Sequence, residues 1–137
     1  MKTIRSNCFE TNSSSTHSIT LLTTPKDLNQ YAGILVNYRA ECGEFGWEWE
    51  TYIDTDKLIS YVWTLAQEDQ KLKDLMFEVA HITGLQLIEP GKDLWHGVDH
   101  GSEHWENAFE QNPALNTVSG LIEFFVRGEI KTGNDNG

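Results

Sequence analysis

Positive charge is what this chain has least of: 10 lysines and arginines stand against 21 aspartates and glutamates, a formal net charge of −11 over 137 residues. The deficit is uneven. Residues 1–40 hold four basic and two acidic side chains, so residues 41–137 hold six against nineteen. A field of that sign repels nucleic acid and anionic lipid, which argues against direct nucleic-acid binding, and it favours basic partners, including the nucleic-acid-binding surfaces of other proteins. Long apolar runs are missing too. The longest, residues 121–126 interrupted by Glu123, cannot span a bilayer, and residues 1–5 lead into no apolar stretch of a secretory signal, so a cytoplasmic protein without a membrane partner is expected. With only Cys8 and Cys42 there is neither a metal-type cysteine pair nor a disulfide framework, and both thiols are expected to be reduced. No Gly-x-x-x-x-Gly-Lys phosphate loop occurs.

What is present points to a folded chain. Its length fits one domain able to bury roughly two-thirds of the surface its unfolded form exposes, and fifteen aromatics, five of them tryptophan, exceed what a disordered segment of this charge carries. Hydrophobic periodicity predicts an α+β class: one compact domain over residues 1–132, with a small, mostly antiparallel sheet packed on three to four helices, then a short polar tail at residues 133–137. Strands are expected at residues 2–5, 18–23, 33–37 and 85–88. Another over residues 44–50 alternates Phe45, Trp47 and Trp49 inward with Glu44, Glu48 and Glu50 outward. Thr24-Pro25 opens a short helix with Asp27 in its first turn. Asp54 or Thr55 caps a helix carrying Leu58, Tyr61, Val62 and Leu65. The next helix has Leu72, Leu75, Met76, Val79 and Ile82 at helical spacing and ends at Gly84, and a last one runs from Asn116 or Thr117 through Val118, Leu121, Ile122 and Phe125 to Gly128.

The densest chemistry lies in residues 10–20, where Thr11, Asn12, Ser13, Ser14, Ser15, Thr16, Ser18 and Thr20 surround His17. Hydroxyls and amides on irregular backbone offer donors to an anion, and a histidine moves a proton near neutral pH, a combination suited to a phosphate, nucleotide or ribose. The plainer reading is a set of Asx and hydroxyl turns satisfying a tight bend. His96, His100 and His104 recur every four residues and on a helix would stack to hold a metal with Asp99 or Glu103, but Gly97 and Gly101 argue against that helix, and no metal or other cofactor is expected. The row Glu44, Glu48, Glu50 would set carboxylates about 7 Å apart per two-residue step. Extended by Asp54, Asp56, Glu103, Glu106 and Glu110, it could imitate a phosphate backbone toward a basic protein; a solvated strand face that blocks edge pairing is the alternative. Arg5, Ser14-Ser15-Thr16 and Glu48-Trp49-Glu50 follow the chain order of the mono-ADP-ribosyltransferase set, but nine residues between Arg5 and Ser14 leave no room for that fold's intervening helices.

Residues 5–18, Arg-Ser-Asn-Cys-Phe-Glu-Thr-Asn-Ser-Ser-Ser-Thr-His-Ser, resemble the opening of a group of small proteins encoded by tailed bacteriophages and prophages. Three later pieces resemble the same group: residues 43–48, residues 98–102 and residues 132–136. Cys8 stands where an aliphatic is usual in the group, and Gly101 where a larger polar residue is. The resemblance implies a viral origin, hence the cytoplasm of a bacterial host. If the pieces converge, it also implies a pocket containing Glu10, Asn12, Ser13, His17, Glu44, Asp99, His100 and Asp135. Small acidic viral proteins often occupy a host protein's functional surface, so the expected function is inhibition of a host antiviral defence factor with a basic surface, of the anti-CRISPR or anti-restriction type. The alternatives are an enzyme or ligand binder for a nucleotide-like molecule, with His17 as acid/base beside Asp99 and His100, and a phage structural or assembly factor.

Overall fold

Helix α1 (Thr55–Ala66) is apolar on nearly every side, and Leu58, Ile59, Tyr61, Val62, Trp63 and Ala66 are all buried, the mark of a helix enclosed by its neighbours. Asp54 occupies its N-cap position and Asp56 its first turn, where negative charge meets the positive end of the helix dipole. The computed structural model describes residues 15–21, 27–45, 50–90, 97–98 and 101–134, without the side chains of residues 15–17, 101–103 and 133–134. Helix α2 (Gln70–Thr83) begins on Asp69, whose carboxylate accepts from the Leu72 N–H at 3.2 Å, and ends on Gly84 at φ 80°, a left-handed conformation that glycine adopts without strain. Helix α3 spans Gly101–Gln111. Helix α4 (Val118–Arg127) is capped by Thr117, which accepts from the Gly120 N–H at 3.1 Å, and every residue from Gly120 to Phe125 is buried. Helices α1, α2 and α4 pack against one another.

Strands β1 (Ser15–Thr20), β2 (Arg39–Ala40), β3 (Glu44–Phe45), β4 (Glu50–Tyr52), β5 (Gln86–Leu87), β6 (Gly97–Val98) and β7 (Glu129–Asn134) form three sheets. The largest is antiparallel, in the order β1-β7-β4; β2 with β5 and β3 with β6 make two short parallel pairs. In β7, Ile130 and Thr132 are buried and Lys131 is exposed, the period-2 pattern of a strand with one face on the core. This is the α+β fold expected, with four helices and a small antiparallel sheet.

Several elements differ from expectation for identifiable reasons. Residues 33–37 form turns rather than a strand: Gly33 sits at φ 75°, and the Gly33 and Leu35 N–H groups donate to the Ile82 and Thr83 carbonyls at the end of α2. The apolar run there buries Leu35 and leaves Ile34 and Val36 exposed. Where one strand over residues 44–50 is expected, residues 44–45 pair with β6 and residues 50–52 with β7, in two different sheets. Phe45 is buried as expected, whereas Trp47, Trp49 and the expected strand at residues 2–5 lie outside the described residues. Asp27 caps a 3-10 helix (Leu28–Tyr31) instead of lying inside a first turn. Strand β1 starts three residues before the expected 18, drawn out by its six-residue register with β7, and β7 itself extends to Asn134, so residues 133–134 are strand rather than tail. Glycine at position 101 did not prevent a helix because it is the first residue of α3, where a glycine costs little.

Candidate functional site

Residues 15–17, part of the serine-rich block, lie on a strand, not in a turn. The antiparallel register sets Ser15 opposite Asn134, Thr16 opposite Gly133 and His17 opposite Thr132, while β4 sets Glu50 opposite Thr132 from the other side. Thr132 therefore stands between His17 and Glu50 in one row across the sheet. Its buried hydroxyl donates to the Glu50 carbonyl at 3.5 Å, and the Glu50 carboxylate accepts from the Tyr52 hydroxyl at 2.8 Å. The Tyr52 ring is buried edge-on against Phe45 at 5.5 Å, so the exposed Glu50 is steadied from the core.

The segments that carry the resemblance meet in two hydrogen-bonded pairs. Residues 15–18 pair with β7, which includes residues 132–134, and residues 44–45 pair with residues 97–98. Helix α3, beginning at Gly101, packs on β1. Glu10, Asn12, Ser13, Ser14, Glu48, His96, Asp99, His100 and Asp135 lie outside the described residues, as do Arg5 and Cys8.

The acidic residues divide differently from the row expected. Glu44 on β3 and Glu50 on β4 are both exposed but belong to different sheets, so they do not form one line of carboxylates at two-residue steps. A second acidic locus involves Glu106 on α3. With Glu68 and Asp69 from the link between α1 and α2 it borders a depression of about 310 Å³ whose floor includes Leu72 and the buried Trp105. Trp105 is fixed edge-to-face on Phe124 at 6.0 Å. Of the described acidic side chains, all but Glu123 and the half-buried Glu129 are exposed.

The histidine spacing has no common helix: Gly97–Val98 is strand, and only His104 of the three falls on α3, half-buried. Among the described residues no group of three His, Cys, Asp or Glu side chains is placed to hold a metal. Cys42 is a free thiol. Burial pushes its pKa up, partly opposed by a hydrogen bond with Thr64, which makes it a poor nucleophile.

Glu123 was not singled out by sequence reasoning. It is 2 % exposed on α4; its Oε2 accepts from the Tyr31 hydroxyl at 2.7 Å, and its Oε1 lies 3.8 Å from Arg127 Nε. Both residues line a cleft of about 310 Å³ between the 3-10 helix at Leu28–Tyr31, the turns that follow it, and α4. The signal was a lone carboxylate inside the apolar run of residues 121–126, four residues before an arginine. Comparison with protein-family models, curated proteins and solved structures finds no match for this chain. Among the described residues no helix is long and apolar enough to cross a membrane.

Proposed function

We propose that this chain is a phage-encoded accessory protein of the bacterial cytoplasm that inhibits a host antiviral defence factor, of the anti-CRISPR or anti-restriction type, by occupying a basic nucleic-acid-binding surface. The observation that carries this reading is the exposure of nearly every described carboxylate on a net charge of −11, with Glu50 steadied by Tyr52 and Glu106 grouped with Glu68 around a depression floored by a buried tryptophan. Carboxylates held on helices and short strands imitate a phosphate backbone without needing to be ordered on binding. The viral origin rests on the resemblance of residues 5–18. The test is to express the chain in bacteria carrying one defence system at a time and count plaques of a sensitive phage. Rescue of plaquing by the wild-type chain, lost with Glu50→Lys, Glu106→Lys and Glu110→Lys together, supports the reading; full activity of that triple variant removes the charge-mimic mechanism.

A second reading has one observation in its favour, the cross-sheet row of His17, Thr132 and Glu50. It makes the chain a binder of a nucleotide-like molecule at the β1-β7-β4 sheet, with His17 as proton carrier. A rise in melting temperature with a nucleotide, absent in His17→Ala, favours it over the inhibitor, because a ligand that binds only the folded state stabilises that state.

A further inference from the structure

The depression bordered by Glu68 and Glu106 has one donor left open. Trp105 lines it, is 3 % exposed and is held edge-to-face on Phe124, yet its indole Nε1–H donates to no acceptor among the described residues and is not sealed from solvent. Trp63, the other buried tryptophan described, donates its indole N–H to the Ile88 carbonyl at 2.7 Å, which is the usual arrangement for an enclosed indole. A donor that still meets solvent, in a side chain otherwise enclosed, opens on the depression its ring lines. The rim adds negative charge. Glu68 and Glu106 are exposed and make no ion pair among the described residues, and no described basic side chain lines the depression. The Asp69 carboxylate, by contrast, is engaged by the Leu72 N–H as the cap of α2.

We infer that this depression takes a short peptide segment of the basic protein partner: a main-chain carbonyl accepts from the Trp105 Nε1–H, and the adjacent basic side chain meets Glu68 and Glu106. The inference rests on the reading of the chain as an inhibitor of a basic protein and names the contact that anchors it. The chemistry of the lining selects the occupant. A bare cation satisfies the carboxylates but offers nothing to the N–H, which can only donate, and an anion that accepts from the N–H is repelled by the rim. A lysine or arginine within a peptide carries both groups, an acceptor on its backbone and a cation on its side chain. Its apolar stem has the half-buried Leu65 to lie on while the charged head stays in water beside the carboxylates.

The test is an NMR titration of the isotope-labelled full chain, at physiological salt, with a blocked Ala-Ala-Lys-Ala-Ala peptide and its acetyl-lysine counterpart. Acetylation keeps the backbone and the stem and removes the charge. The expected result is a saturable downfield shift of the Trp105 indole N–H resonance with the lysine peptide only, together with shifts of residues 65–72 and 106. Glu68→Gln with Glu106→Gln, both at exposed positions, should lower the affinity about fivefold, the scale of two solvent-facing charge contacts, and leave the fold intact. An indole resonance that does not move, equal binding of the acetyl-lysine peptide, or unchanged affinity in the double variant overturns the inference. The parent reading fails separately. If the lysine peptide binds as described but the chain rescues no plaquing, the peptide site stands without the inhibitor. If the wild-type chain rescues plaquing while the peptide leaves the Trp105 indole unmoved, the inhibitor stands without this anchor.

Discussion

Gly120→Ala should destabilise the protein, although in an ordinary helix interior it would do the opposite. Alanine is favoured over glycine by about 1 kcal/mol in a helix, so the sign of the effect reports the packing. Gly120 is the third residue of α4, and a Cβ built there would overlap the backbone carbonyl of Ala114, in the 3-10 turn Pro113–Asn116. That carbonyl already accepts from the Thr117 N–H at 3.1 Å and from the Thr117 hydroxyl at 2.7 Å. Because the obstacle is backbone rather than the end of a flexible side chain, relief requires α4 to lift off the turn. Lifting it breaks both bonds and unseats Thr117, the cap of the same helix. Overpacking of this kind costs about 1–3 kcal/mol and loss of the cap about 1 kcal/mol more, so after the propensity gain a net loss of about 1–3 kcal/mol is expected. Urea unfolding followed by tryptophan fluorescence measures it, provided the slope m is unchanged. A variant as stable as the wild type, or more stable, would refute the close approach of α4 to residues 113–116.

Tyr31→Phe removes the donor to the buried Glu123 and should cost about 1.5–3 kcal/mol in the same assay, the range for a hydrogen bond to a charged group; a change under 0.5 kcal/mol would place that carboxylate in water. Gly84→Ala should lose about 1–2 kcal/mol because φ is 80° there, and the added Cβ would also meet Val36 Cβ at 3.1 Å. Cys42 should react with iodoacetamide more slowly in the native than in the unfolded chain, read by mass spectrometry of its peptide. Since burial raises its folded pKa, the native state keeps a proton that the unfolded chain releases, so its contribution to stability is present below the ordinary thiol range and is lost as pH rises through the folded value. Cys42→Ala should flatten that alkaline decline.

Three of the four helices were legible because their signals are local: Asp54 and Thr117 stand at caps, Gly84 terminates α2, and the apolar spacing of Leu72, Met76 and Val79 needs no knowledge of the rest of the chain. Helix α3 was not, because Gly101 argued against a helix that it in fact begins. Strand β7 was not read either, and its reason is not local. Residues 129–134 contain glycine, lysine and asparagine, weak strand formers, and become the central strand only because β1 and β4, from distant parts of the chain, pair on both sides. The same distance hid the row of His17, Thr132 and Glu50. Residues 33–37 misled for a related reason: Gly-Ile-Leu-Val-Asn has the composition of a strand, but the Gly33 and Leu35 donors are taken by the end of α2 and those of Ile34 and Val36 by the local turns. Glu123 was hidden by its own helix, since a carboxylate in sequence looks solvent-facing until Tyr31, 92 residues away, is brought to it.

The acidity of the chain makes opposite demands on the free protein and on a complex. With −11 net charge and almost all described carboxylates on the surface, like-charge repulsion works against the compact state. The ion pairs available to offset it, such as Arg39 with Glu41 at 3.8 Å and Lys131 with the half-buried Glu129 at 3.5 Å, have at least one partner well exposed to solvent and are individually worth little. Raising the salt from about 0.01 to 0.15 M shortens the screening length from about 30 to 8 Å, so it should raise the melting temperature of the isolated chain. If the chain binds a basic partner as proposed, the same change weakens the attraction that speeds their encounter, so association should slow over the same interval. The two effects have one origin and must appear together. An isolated chain whose melting temperature falls with salt would mean that its ion pairs outweigh its repulsion, and the exposed carboxylates would then serve the fold rather than a partner.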